Sequence, residues 1–63
     1  MTTRENQICR MLMKKKRSKE IAFELNISLN TVKAHLANIY RKNKLNGIHE
    51  LLIYLLTRDK PLN

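Results

Sequence analysis

Apolar residues recur along most of the chain at the three- and four-residue spacing of an α-helix. Near the N-terminus, Ile8, Met11 and Leu12 follow this spacing, which places side chains on one face of a helix. Residues 2–5 (TTRE) before them form a capping-box sequence. We therefore predict a first helix that begins near residue 2 and ends at the basic run 14–17.

The same spacing predicts a second helix over about 18–25, a third over about 29–43 and a fourth over about 48–58. Glycine and proline are scarce and apolar residues rarely alternate with polar ones, which argues against strands. The predicted fold is all-α, a four-helix domain over residues 1–63. The predicted inner faces consist of Ile21, Ala22 and Leu25; of Val32, Leu36, Ile39 and Tyr40; and of Ile48, Leu51, Leu52 and Leu55.

Three residues, 26–28, join the second and third helices. Asn26 tolerates the left-handed conformation that ends a helix, and Ser28 is a favourable N-cap. Ile27 is expected to pack between the two helices. Two short helices joined in this way are typical of a helix-turn-helix, whose second helix enters the major groove of DNA. The plain alternative is a helical bundle whose turns have no such role.

The face of the third helix opposite its apolar stripe has small side chains at its centre. A merely solvated face more usually mixes glutamate and lysine, whereas small side chains let a helix lie close against another surface. At about 100° per residue, this face holds Asn30, Ala34, Ala37 and Arg41, with Lys33 and Lys44 on one flank and Asn38 on the other.

The composition excludes several classes of protein. A chain of 63 residues has a small core and little room for a catalytic cleft. Its single glycine excludes a glycine-rich phosphate loop, and its single cysteine excludes an internal disulfide and a zinc site with several thiolates. Cys9 lies beside the first apolar stripe and is predicted to be a small buried hydrophobe. We expect no enzyme activity, metal or cofactor.

No sequence segment indicates a membrane. The longest apolar run, 51–56, is six residues long, whereas a spanning helix needs about 20. Arg4 and Glu5 stand where a signal peptide would have apolar residues. We expect a soluble cytoplasmic protein.

The net charge of +8 at pH 7 predicts a polyanionic partner, because excess charge of one sign destabilises a small domain. Nucleic acid is the first expectation, and an acidic membrane surface or an acidic protein is the second; simple solubility is the plain alternative. No acidic residue occurs between Leu25 and His49, a stretch that contains three lysines and one arginine. The basic run 14–17 fits either a phosphate contact or a solvated helix end.

The fourth helix is apolar almost all round. Ile53, Tyr54 and Leu56 leave few polar positions outside its inner face. Such a helix either buries its second face against a partner or leaves it exposed at a cost in solubility.

Four segments together resemble the LuxR-type DNA-binding domain, also called GerE-, FixJ- or NarL-like. They are residues 4–8 (RExQI), 19–22 (KEIA), 27–35 (ISxxTVKxH) and 38–42 (NIYxK). The resemblance runs from residue 1 into the fourth helix. It implies a bacterial transcription regulator that binds DNA through its third helix. In many members, an N-terminal phospho-receiver or ligand-sensing domain precedes the DNA-binding domain. The resemblance therefore implies the effector domain of a response regulator.

The resemblance also implies roles for individual residues. Lys33 is implied to contact base edges, with further base contacts at Ala34 and Ala37. The fourth helix is commonly the dimer contact, which assigns that role to Ile53, Tyr54 and Leu56. For other matched positions the resemblance implies phosphate or supporting contacts: Ser18, Lys19, Thr31, His35, Asn38 and Lys42. Asn30, Arg41 and Lys44 are candidate DNA contacts because they lie on or beside the outer face of the third helix.

Several positions depart from the family pattern, including Gly47-Ile48, which replace a common polar pair before the fourth helix. Lys15 replaces a frequent glycine, so the turn after the first helix is either strained or reshaped. Arg17 replaces a Ser or Thr cap, so Ser18 is expected to take over the capping. Asn43 replaces a usual leucine. Ala37 replaces a long polar or basic side chain of some members, so the base contact that such a side chain could make is absent and only the Ala37 methyl group is available there.

The sequence therefore predicts specific binding of double-stranded DNA by a homodimer on a two-fold symmetric site, with RNA polymerase as a further partner. Two other interpretations stay open. One is a promoter-recognition module like that of a sigma factor. The other is a protein-interaction module that uses the apolar fourth helix.

Overall fold

A computed structural model describes residues 2–58, and for Arg58 the backbone alone. It contains four α-helices: α1 (Thr3–Met13), α2 (Ser18–Leu25), α3 (Leu29–Asn43) and α4 (Ile48–Arg58). The all-α fold and the positions of its four helices are confirmed. The sequence also predicts that Asp59-Lys60-Pro61 ends the fourth helix, because proline restricts the residue before it; these three residues lie outside the described part of the chain.

The helix starts agree with the predicted caps at two of three places. Thr2 and Glu5 form the capping box of α1, and the Ser28 hydroxyl accepts from the Thr31 amide at 3.0 Å. The expectation that Ser18 caps α2 is wrong. The N-cap is Arg17, whose own amide donates to the Glu20 carboxylate at 2.8 Å.

Within residues 2–58, three helices are followed by a residue with positive φ, directly after α2 and α3 and two residues after the end of α1. Asn26, at 57°, is the residue expected to have it, but Lys15 (66°) and Lys44 (56°) adopt the same left-handed conformation. Lys15 thus adopts a conformation that favours glycine, so the turn after α1 is strained rather than reshaped. The chain's one glycine, Gly47, does not have positive φ.

The core lies where all four apolar stripes meet. Helix α1 packs against each of the other three, and α2 packs against α3. Ile27 packs onto this core from the turn, as predicted. The buried apolar side chains are Ile8, Cys9, Leu12, Ile21, Ala22, Val32, Leu36, Ile39, Leu51 and Leu55.

Within residues 2–58, no helix is both long and apolar enough to cross a lipid bilayer. In the same part of the chain, no group of three metal-ligating side chains comes together.

Candidate nucleic-acid interface

The outer face of α3 is open to solvent over the whole length of the helix. Its inner side is fixed by the buried side chains of Val32, Leu36 and Ile39, so the opposite side points outward. The half-buried members of the predicted set are His35 and Asn38. The exposed members are Asn30, Thr31, Lys33, Ala34, Ala37, Arg41, Lys42 and Lys44.

The start of α3 is capped by hydrogen bonds between Ser28 and Thr31. The Ser28 hydroxyl binds both the Thr31 amide (3.0 Å) and the Thr31 hydroxyl (2.8 Å). This pair fixes the orientation of Thr31 at the N-terminus of the helix, where the helix dipole favours anions. A phosphate group at this end would meet an oriented hydroxyl next to a positive dipole.

Arg41 and Asn38 form a polar pair near the end of the outer face. The Arg41 guanidinium donates to the Asn38 side-chain oxygen at 2.8 Å. A guanidinium has five N–H donors, so this bond orients Arg41 and leaves most of its donors available.

Lys42 is directed towards Glu5 on α1, although its side chain remains 47% exposed. Its ammonium lies 3.1 Å and 3.3 Å from the two carboxylate oxygens of Glu5, on α1. Glu5 is 2% exposed, and its carboxylate also accepts from the Thr2 amide at 3.3 Å. Burial by itself raises the pKa of Glu5, but the hydrogen bonds from Lys42 and Thr2 outweigh it and hold the pKa below its ordinary value.

Sequence reasoning grouped Lys42 with the candidate DNA contacts and did not find this ion pair. A signal for it was present, because Lys42 follows the buried Ile39 by three residues and so lies at the edge of the apolar stripe. Its partner could not be identified, because Glu5 is distant in sequence and already had a role in the capping box.

The N-terminus of α2 supplies the second candidate surface. Lys19 is exposed and Ser18 is half-buried, and both lie in the first turn, where the dipole is positive. In the basic run before them, Lys14, Lys15 and Arg17 are exposed. Lys16 instead forms an ion pair with Glu24 of α2, and this hydrogen bond raises the pKa of the Lys16 ammonium.

The three predicted dimer residues of α4 differ in their exposure. Ile53 and Leu56 are 61% and 57% exposed. Tyr54 is half-buried and packs against the core. Two large aliphatic side chains therefore form the exposed apolar part of this helix.

The fold and this surface together define a class: an all-α domain with a central helix-turn-helix whose second helix presents an acid-free outer face. Comparison with known proteins agrees, since the family described as bacterial regulatory proteins, luxR family (GerE), matches residues 1–55. The chain is 38% identical over 56 residues to the spore germination protein GerE of Bacillus subtilis strain 168, covering 89% of this chain and 76% of that protein. No solved structure gives a significant match.

The chain belongs to the luxR family of bacterial regulatory proteins. DNA binding in transcription regulation is the activity of this family, which is not a family of enzymes. The resemblance that the four sequence segments indicated is thereby confirmed.

Proposed function

We propose that the protein binds specific sequences of double-stranded DNA by inserting α3 into the major groove. The groove is about 12 Å wide and admits one α-helix. Ala34 and Ala37, both exposed on the outer face, allow the helix backbone to approach the base pairs closely. This small-centred, acid-free face is the observation that carries the proposal.

Base recognition in this proposal rests on few side chains. The exposed ammonium of Lys33 can donate to guanine O6 and N7, and the methyl groups of Ala34 and Ala37 can contact a thymine methyl. Asn30 is exposed at the same face and its amide suits adenine N6 and N7.

Phosphate contacts set the position of the domain without distinguishing sequences. We assign them to the N-terminus of α2, with Ser18 and Lys19, and to the two ends of α3. Thr31 serves the N-terminal end of α3; Arg41 and Lys44 serve the other. His35 and Asn38 are half-buried and support the helix or reach the backbone beside it.

We further propose that two copies associate through α4 and bind a two-fold symmetric site in the cytoplasm. Exposed Ile53 and Leu56 would be buried in this contact, with Tyr54 supporting them from the core side. A C2 contact uses the same patch on both subunits, so the half-sites would be related by two-fold symmetry. RNA polymerase is the proposed further partner of the DNA-bound dimer.

A salt titration tests the DNA-binding proposal. Duplexes are first selected from a random pool, and the affinity of the best one is then measured from low to high salt. The logarithm of the association constant should fall linearly with the logarithm of salt concentration, by about 0.9 per phosphate contacted. A protein-interaction module would show no such slope. A promoter-recognition module would instead bind the RNA polymerase core in the absence of DNA.

A further inference from the structure

A groove of about 550 Å³ lies on the domain between α1, the 14–17 turn and α4. Its floor is apolar and comes from both helices. Leu12 and Met13 contribute from the end of α1, and Ile48, Leu52 and Leu56 contribute from α4. No residue of α3 lines this groove, and Ser18 at the start of α2 is the one proposed DNA contact that does.

The floor has the dimensions of a helix-binding groove. Ile48, Leu52 and Leu56 follow one another at four-residue spacing, so they form a stripe about 12 Å long at 1.5 Å rise per residue. Met13 and Leu56, at 37% and 57% exposure, leave the groove open along one side. A small molecule bound in such an open site would remain largely exposed to solvent, whereas pockets for small ligands enclose most of the ligand surface.

The rim of the groove is basic. Lys15, Lys16 and Arg17 line it, and no acidic side chain does. Lys16 is partly neutralised by Glu24. Among residues 2–58, neither Lys15 nor Arg17 forms an ion pair, and both are exposed. Two cations therefore stand at the edge of an apolar floor without a charged partner.

We propose that this groove binds an acidic amphipathic helix of a partner protein. Three apolar side chains of that helix, at spacing i, i+4 and i+7, would cover the α4 stripe, which is the helix-in-groove mode of recognition. Its carboxylates would meet Lys15 and Arg17. Leu56 also belongs to the dimer contact proposed above, so a partner helix and a second copy would compete for that end of the groove. The basic rim favours the acidic helix, because a second copy with a net charge of +8 brings like charge towards Lys15 and Arg17.

The test uses the DNA-free protein, so its outcome is independent of the proposed DNA binding. The probe is a synthetic helix of about 15 residues with leucines at i, i+4 and i+7 and glutamates elsewhere on its surface. A twin peptide carries lysine in place of each glutamate. Binding is followed by amide chemical shifts of the protein, which should change around Leu12, Leu52 and Leu56 with the acidic peptide and not with its twin.

Charge reversal locates the contact. Lys15→Glu combined with Arg17→Glu should weaken binding of the acidic peptide about tenfold. The matched control, Lys33→Glu with Arg41→Glu on α3, changes the net charge equally and should weaken it less than twofold. Equal weakening by both pairs, equal binding of the twin peptide, or shifts centred on α3 would overturn the proposal. Unchanged chemical shifts elsewhere in each variant verify that the fold is retained.

Discussion

Lys15 closes α1 in a backbone conformation that favours glycine. The Lys15 amide donates to the Leu12 carbonyl at 2.9 Å and the Lys16 amide to the Met11 carbonyl at 3.1 Å, the two bonds of a Schellman motif. The left-handed conformation costs a residue with a Cβ about 1–2 kcal/mol. The motif forms because its hydrogen bonds and the packing of α1 outweigh that cost.

Replacing Lys15 by glycine is therefore expected to stabilise the fold. Relief of the left-handed strain exceeds the extra chain entropy of glycine, so Lys15→Gly should raise the free energy of unfolding by roughly 0.5–1 kcal/mol. Thermal or urea unfolding measures the change. Lys14→Gly is the control, since φ of Lys14 is −85° and glycine gains nothing there. A loss of stability in Lys15→Gly would show that the turn is not strained.

The Glu5–Lys42 pair predicts a specific dependence of stability on pH. The pKa of Glu5 in the folded protein lies below its ordinary value of 4.5, so the carboxylate stabilises the fold above pH 4.5. That contribution is lost as the pH falls through the folded pKa. Glu5→Gln should lower the free energy of unfolding on the order of 1 kcal/mol at pH 7, and its stability should fall less on acidification. Parallel pH profiles of unfolding for the two proteins would contradict this account.

Lys33 is expected to contribute to affinity and to base discrimination. Lys33→Ala should weaken binding to the selected duplex by about 1–3 kcal/mol and relax the preference at one base pair. The variant should unfold like the parent, because the side chain is exposed. Competition with duplexes altered at single positions measures the effect, and an unchanged preference at every position would show that Lys33 does not discriminate between bases.

Exposure could be predicted for most of these side chains, whereas their partners could not. The 100° rotation per residue places Lys33, Ala34 and Ala37 outward and Val32 inward, as the structure has them. The role of Lys42 depends on a carboxylate in another helix, and no local pattern encodes that contact.

At the scale of the helices, a helix end could be predicted from the sequence wherever a specific capping residue determines it. Thr2 and Ser28 cap their helices as their residue types predict, and Asn26 ends α2. Lys44 ends α3 although lysine has no preference for the left-handed conformation. Its position is set by packing of the next residue, Leu45, onto the core, which is a tertiary effect.

The exposed side of α4 predicts a charge-sensitive dimer. Ile53→Glu and Leu56→Glu should each reduce the DNA complex from two protein copies to one, because each buries a carboxylate in an apolar contact. Sedimentation of the complex measures the number of copies. Phe23→Glu is the matched control: Phe23, on α2, is 87% exposed and also exchanges an apolar side chain for an acid. A single copy on DNA in the parent protein, or equal effects of all three substitutions, would exclude α4 as the contact.

Across the whole molecule, the charge of +8 is divided among different tasks. One lysine neutralises the buried Glu5 and another pairs with Glu24, while Lys33 lies exposed on the outer face of α3 and Lys15 on the rim of the groove. The total charge indicates a polyanionic partner. The packing of α1 against α3 and α4 determines which lysines pair with glutamates, which lie on the outer face of α3 and which lie on the rim of the groove. The fold class followed from periodicity, because helices with an apolar stripe bury it by packing against one another. The groove could not be predicted from periodicity, because it forms only where α1 and α4 meet.

The central claim is that α3 contacts DNA through its small-centred outer face. The most direct test compares two substitutions that add the same charge, Ala37→Glu on this face and Gln7→Glu at an exposed position of α1. Glutamate is a good helix former, as are the alanine and glutamine that it replaces, so both variants should retain the fold. Fluorescence anisotropy with the selected duplex should show that Ala37→Glu weakens binding by more than about tenfold, whereas Gln7→Glu changes it by less than about threefold. Equal losses would show that the domain binds DNA through its overall charge and not through this face.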